Sequence, residues 1–332
     1  MLIYAGIDEA GYGPMLGPLC VGMSVFLLEN HQEGDPPPNL WEQLDEGVCS
    51  SPRDKRRRIA VADSKRLKGA RSSKSHPLRH LERGVLAFAC ASDPSLELET
   101  MDDDSFFGRL GAQLPTSVGT PWYESNTSLP VSYDADMISI AAARLRTALD
   151  HAGVRLLDLG CISIDAGELN SRLAGGANKA SINQDAVLKM ISRAQRVASE
   201  VGTCVPRIVV DRQGGRMYYR EWLTSCIPDS KIRILGENDH ISRYEVQDDY
   251  GAFVVSFETG SETRHLPVAL SSMTAKYIRE LAMIRLNRFF MEHVPELQPT
   301  AGYVQDGRRF INDVKPIFQT LELKPNLLIR TA

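Results

Sequence analysis

Four acidic positions stand where chemistry can be done. Asp8 and Glu9 follow a short apolar run, Leu2 to Ile7, and precede a segment rich in glycine and proline, Gly11 to Pro18. Neighbouring side chains on a regular strand point to opposite faces. Both acids therefore serve one site only if the chain bends directly after them, and Gly11, Gly13, Gly17, Pro14 and Pro18 can supply that bend. Asp211 closes a second apolar run, Arg207-Ile-Val-Val-Asp211, ahead of Gly214 and Gly215. An acid at the end of a buried strand beside a glycine turn is a recurrent catalytic position in α/β sheets. Asp165 has the same setting, in Cys161-Ile-Ser-Ile-Asp165 before Gly167, and periodicity does not choose between the two. Glu280 lies on a helical stretch with an apolar stripe of Ile278, Ala282, Leu286 and Phe289; Lys276, four positions earlier, shares another face with it. Each acid also has a plain structural reading. Asp8 and Glu9 could be solvated at a strand end, and Glu280 could form an exposed pair with Lys276 worth tenths of a kcal/mol.

Converging acids of this kind suit phosphodiester hydrolysis. That reaction needs an in-line water and a stabilised leaving oxygen, and two Mg²⁺ ions about 3.5–4 Å apart can serve both. Mg²⁺ favours carboxylates, water and substrate phosphate over an all-protein cage. Without a metal, such acids repel one another and one or more must hold its proton more tightly.

The elements that would position these acids follow from periodicity. Leu2 to Ile7 and Leu19 to Leu28 read as an opening pair of buried strands. Helical spacing covers Pro77 to Ala89, then 136–152 and 184–200. Each of the latter two precedes an apolar strand, at Cys161–Ile164 and Ile208–Val210. Residues 231–270 alternate as strands do, Ala275 to Met291 is a strong helix, and a further helix covers 307–320. The polar, Pro-rich 30–58 region carries the basic run Lys55-Arg56-Arg57-Arg58, either a solvated loop or a phosphate-contacting one. Residues 100–135 read as an irregular insertion. Alternating helices and strands after an early hairpin predict an α/β fold, a mixed sheet flanked by helices with a C-terminal helical segment.

The chain has 332 residues and is 43% hydrophobic, so it can bury a core that needs no disulfide or structural metal. Its six cysteines lack C-x-x-C spacing, which excludes the common zinc and redox motifs. A net charge of −4 argues against binding nucleic acid by bulk charge and leaves a local basic groove. Acidic residues arrive too early for a signal peptide, and there is no run of about 18 apolar residues. A cytoplasmic monomer with no membrane contact is the expectation.

The segment Gly6-Ile-Asp8-Glu9-Ala-Gly-Tyr12-Gly-Pro-Met-Leu-Gly-Pro18 closely resembles the opening motif of the type 2 ribonuclease H (ribonuclease HII) family. Asp63-Ser64-Lys65 resembles its D-S-K element, and Ser271 to Glu280 resembles its A-A-S-I-x-A-K-V-x-R-D helix. Ala301-Gly302-Tyr303, with Arg308 and Phe310 beyond, is a weaker likeness to its C-terminal G-Y-x-T segment. Ile164 to Asn170 is similar to the family's E-I-D-x-x-N stretch, which comes before the third acid and so favours Asp211 over Asp165.

The resemblance implies a ribonuclease H-like catalytic domain over 1–290, with insertions near 30–60, 100–135 and 231–260, and a helical extension at 291–332. It implies Asp8, Glu9, Asp211 and Glu280 as catalytic and metal-binding acids for Mg²⁺ or Mn²⁺. It also implies substrate contacts from Gly11, Tyr12, Gly13, Ser64, Lys65, Lys276 and Tyr303. The activity implied is endonucleolytic cleavage of the RNA strand, or of embedded ribonucleotides, in RNA–DNA duplexes, leaving 5′-phosphate and 3′-hydroxyl ends. Three departures mark a divergent member. Tyr12 replaces the family's arginine, Glu280 stands where the family has aspartate, and the gap from Asp211 to Glu280 is far longer than usual. They keep two alternatives open: a non-catalytic nucleic-acid-binding protein on the same fold, and a nuclease acting on DNA or structured RNA.

Overall fold

The computed structural model describes residues 1–32, 34–68, 76–114, 119–202, 204–212, 214 and 216–331. Gly215, expected to share a turn with Gly214, lies outside them.

The chain opens with β1 (Leu2–Ala10) and β2 (Leu19–Leu28), then α1 (Leu40–Gln43), β3 (Val48–Cys49), β4 (Ile59–Ala60) and α2 (Ser64–Leu67). Helices α3 (Arg79–Ser92), α4 (Asp103–Leu110) and α5 (Ala135–Ala152) lead into β5 (Val154–Ile164). Helices α6 (Ala166–Ala174) and α7 (Lys179–Val201) precede β6 (Arg207–Asp211), α8 (Arg220–Cys226) and the strands β7 (Lys231–Glu237), β8 (Ile241–Asp248) and β9 (Gly251–Glu258). The long α9 (Leu266–His293), α10 (Val304–Val314) and α11 (Pro325–Leu328) close the chain.

Seven strands form one mixed sheet in the order β5-β2-β1-β6-β9-β8-β7. The β1/β6 and β6/β9 pairs are parallel and the others antiparallel. Apolar clusters lie on both faces. One joins β1, β2 and β5 to α3, α5, α9 and α10, and the other joins the sheet to α7 and α8. The fold is therefore the expected mixed sheet flanked by helices, with helices at the C-terminus. The 231–258 strands extend this sheet, with β9 paired directly to β6.

Helix α9 presses its backbone onto the first two strands. A Cβ at Gly6 would meet Pro267 C and Val268 N at 2.2 Å, and one at Gly22 would meet Ser271 O at 2.2 Å. Only glycine permits this approach. The contact is fixed by Ser271 Oγ, which donates to Gly6 O at 2.9 Å, and by Ser24 Oγ, which donates to Pro267 O at 2.8 Å.

Three expectations are corrected. Helix α9 starts at Leu266 and not at Ala275, because Pro267 occupies the first turn, where its missing N–H costs nothing. The 100–135 region is not wholly irregular, since Asp102 accepts from Ser105 N at 2.8 Å and caps α4. The bend expected directly after Glu9 begins instead at Gly11, which has φ +85°, while Asp8 and Glu9 stay in register opposite Gly22 and Val21.

Candidate active site

The β1/β6 pairing assembles the first three acids. Ile7 lies beside Val210, so one further residue in that register sets Asp8 against Asp211. Asp211 Oδ1 accepts from Ser261 N at 3.1 Å and from Ser261 Oγ at 2.8 Å. That clasp ties the end of β6 to the short turn after β9 and brings the next residue, Glu262, into the group. Asp63 joins from the start of α2, whose N-terminus it caps by accepting from Lys65 N at 2.9 Å.

The electrostatics are those of crowded, desolvated carboxylates. Burial pushes Asp8 well above the usual carboxylate range, and the charges of Glu9 and Asp211 push it further. Glu9 is raised to about 7, by burial first and then by Asp211. Glu262 is raised by burial and then by Asp211 and Asp63. Glu9 Oε2 and Glu262 Oε2 are both buried without a hydrogen-bond partner. A buried charged oxygen with no donor is costly, and a divalent cation is the group that would relieve several at once. The donor chemistry therefore fits Mg²⁺ or Mn²⁺. Among the described residues, no three acids, histidines or cysteines are drawn together as a ready metal-ligand set. Metal binding would have to pull the side chains inward.

Glu280 is in a different environment. Its Oε1 lies 2.6 Å from Lys68 Nζ, 2.9 Å from Lys276 Nζ and 3.5 Å from Arg279 Nη1. Burial alone would raise it, but Lys276, Lys68 and Arg279 outweigh that and hold it at about 2. Lys276 is thus engaged with Glu280. Asp165 also stands elsewhere, capping α6 by accepting from Glu168 N at 2.8 Å.

The remaining expected residues fall into two groups. Lys65 lies close enough to Glu9 to favour its charged form, and Tyr12 is close enough to feel the Glu9 charge. The Tyr12 ring is exposed, with Lys179 Nζ 4.9 Å from its centroid. Gly11 is locked from below: Arg330 Nη1 donates to its carbonyl at 2.5 Å, and a Cβ would meet Arg279 Cδ at 2.6 Å. Gly13 has open space around it. Ser64 is buried and accepts from Ser272 Oγ at 3.0 Å, which makes it a brace between α2 and α9. Tyr303 is exposed over the Arg279 guanidinium, at 5.9 Å.

Glu262 and Asp63 join this group without having been among the site residues expected from the sequence. The available signal for Glu262 was its place in Gly260-Ser261-Glu262, a glycine turn directly after an apolar strand and just before a helix-starting proline.

No family model and no curated protein matches the chain. It is similar in structure to the ribonuclease HII of Archaeoglobus fulgidus solved in complex with PCNA, at 16% identity over 99% of this chain and 94% of that one, with a TM-score of 0.41. It is similar to the ribonuclease H2 of Pyrococcus horikoshii OT3, at 15% identity over 98% and 92%, TM-score 0.41. A third likeness is to Bst-RNase HIII in complex with Mn²⁺, at 14% identity over 99% of this chain and 66% of that one, TM-score 0.40. No helix among the described residues is long and apolar enough to cross a membrane.

Proposed function

We propose that this protein is a metal-dependent ribonuclease H-type endonuclease that hydrolyses the RNA strand, or embedded ribonucleotides, of RNA–DNA duplexes. The observation that carries the reading is the group Asp8, Glu9, Asp211 and Glu262, three of whose members are pushed toward their protonated forms by burial and by one another. Structural acids are normally paired, as Glu280 is; unpaired buried acids in a group are a functional signature.

Asp8, Glu9, Asp211 and Glu262 would hold Mg²⁺ or Mn²⁺, which supplies a more acidic water and stabilises the leaving 3′ oxygen. Ser261 orients Asp211 through two hydrogen bonds to its Oδ1. Lys65 sets a cation beside Glu9, where a substrate phosphate would enter. Gly11 and Gly13 offer backbone groups for reading a ribose 2′-hydroxyl, the atom that separates RNA from DNA. Tyr12, backed by Lys179, presents a ring and a positive charge where the related family has arginine.

The test is cleavage of labelled duplexes with Mg²⁺ or Mn²⁺, one an RNA–DNA hybrid and one DNA with a single ribonucleotide, using wild type and Asp8→Asn. Cleavage lost in Asp8→Asn is the expected result. Intact duplexes with every metal, from folded protein, would overturn the reading and leave non-catalytic binding or another substrate.

A further inference from the structure

The basic run Lys55–Arg58 takes no part in the acid group. Its second half lines a cavity of about 460 Å³ against the first turn of α3, facing Arg79, His80 and Arg83. The cavity is built and not merely a cluster of surface cations. Arg83 donates from Nη1 to Arg58 O at 2.9 Å and from Nη2 to Arg57 O at 2.5 Å, so the basic loop is tied to the helix. Arg57 is held at φ +59°, a backbone conformation uncommon outside glycine that persists where surroundings enforce it. Arg79 and Arg83 lie 5.1 and 5.7 Å from the centroid of the Tyr133 ring.

The charge in this cavity is not compensated. Among the described residues that line it, Asp54 is the one carboxylate, and Arg58 takes it: Nη2 to Oδ1 at 2.8 Å, Nε to Oδ1 at 3.2 Å and its backbone N to Oδ2 at 2.9 Å. That leaves Arg57, Arg79 and Arg83 without an acid. Arg83 Nε is buried with no partner. His80 titrates below its usual range, through burial and then through Arg79 and Arg83, which reports the positive potential at the cavity.

We propose that this cavity is an anion site that binds a phosphate group, with Arg57, Arg79 and Arg83 as its cationic walls. Guanidinium groups match phosphate oxygens bidentately, and Arg83, held by its bonds to the Arg57 and Arg58 carbonyls, adds a fixed positive charge to the wall. The phosphate belongs either to a nucleic-acid backbone or to a small phosphorylated molecule. The site stands independently of the nuclease reading, because none of its residues belongs to the acid group.

The experiment is a calorimetric titration of inorganic phosphate into the metal-free full chain at constant ionic strength, where the acid group repels anions. Wild type is compared with Arg79→Gln and Arg57→Gly, and with Arg220→Gln as an exposed control outside the cavity. Arg79 is exposed, and glycine adopts the Arg57 backbone freely, so both variants keep the fold. Saturable binding, weakened at least about fivefold in both cavity variants and unchanged in Arg220→Gln, is the expected result. Absence of saturable binding in wild type, or equal loss in Arg220→Gln, overturns the site. A second arm separates the sources by measuring duplex binding by anisotropy across a salt series. A backbone source predicts that Arg79→Gln makes the log K against log salt slope shallower by about one. A small-molecule source predicts an unchanged slope with phosphate binding still lost.

Discussion

Glu9, half-buried near the end of β1, and Glu280, buried on α9, are both glutamates, yet their environments drive them in opposite directions. Glu9 sits with Asp8, Asp211 and Glu262 and is raised to about 7. Glu280 sits among Lys68, Lys276 and Arg279 and is lowered to about 2. Burial acts on both alike, so the difference comes from neighbours. One region stores unfavourable charge that a cation would relieve, and the other has already neutralised its charge within the chain. A carboxylate at a motif position is therefore not enough to mark a metal ligand; what surrounds it decides.

The largest effect that sharpens this contrast is on turnover. Asp8→Asn is expected to reduce hybrid cleavage by at least ~10²–10⁴-fold, the range typical of losing an essential acid–base or ligand group. Its Tm in metal-free buffer should rise, because a buried like charge is removed. Steady-state cleavage and a thermal melt on the same preparation check both halves.

Next comes a crossed pair of substitutions. Glu280→Gln leaves Lys68, Lys276 and Arg279 buried without their counter-charge, and removing one partner from a buried pair costs about 3–5 kcal/mol. Glu262→Gln removes a repelled charge, so it should leave stability unchanged or raise it while depressing cleavage. Urea unfolding at pH 7 reads the stabilities, and a loss of stability in Glu262→Gln larger than in Glu280→Gln would break the contrast.

The two regions should also respond oppositely to pH in metal-free protein. In the folded state Glu9 is pushed up to about 7 from the usual glutamate value of 4.5. Between those values the folded chain binds more protons than the unfolded one, so this group's contribution falls as pH rises from about 4.5 to 7. Glu280 titrates at about 2, below 4.5, so its contribution is complete above 4.5 and is lost as pH falls toward 2. Melting curves across pH 3–8 for Glu9→Gln and Glu280→Gln should flatten the upper and lower limbs respectively.

The smallest effect concerns Tyr12. Lys179→Ala removes a cation–π contact worth about 0.5–1 kcal/mol at an exposed ring. It should change KM for the duplex a few-fold and leave kcat nearly unchanged, as a Michaelis analysis would show.

Much of this arrangement was legible in the sequence. Apolar runs ending in Asp8-Glu9 and in Asp211 reported buried strands with acids at their ends, and the sheet places them side by side because β1 and β6 are parallel neighbours. Glu262 was not legible by periodicity, since it sits in a three-residue turn whose position depends on the Ser261–Asp211 clasp. The surroundings of Glu280 were illegible for a different reason. The residue matches a motif position on a helix, but Lys68 approaches it from a segment 212 residues away in the chain, which no local pattern reveals. The start of α9 was legible in principle from Pro267, while the unbroken burial of the helix hid it, because no polar face marked its first turns.

Single-turnover cleavage of an RNA–DNA hybrid by Glu262→Gln and Glu280→Gln, each normalised to its folded fraction, separates the two glutamates most sharply. A metal site built on Asp8, Glu9, Asp211 and Glu262 predicts that Glu262→Gln loses at least about a hundredfold in rate, as for other groups acting directly on the reacting centre, while folded Glu280→Gln stays within about tenfold of wild type. Full activity in Glu262→Gln together with an inactive, folded Glu280→Gln would contradict it and return the fourth acid to α9.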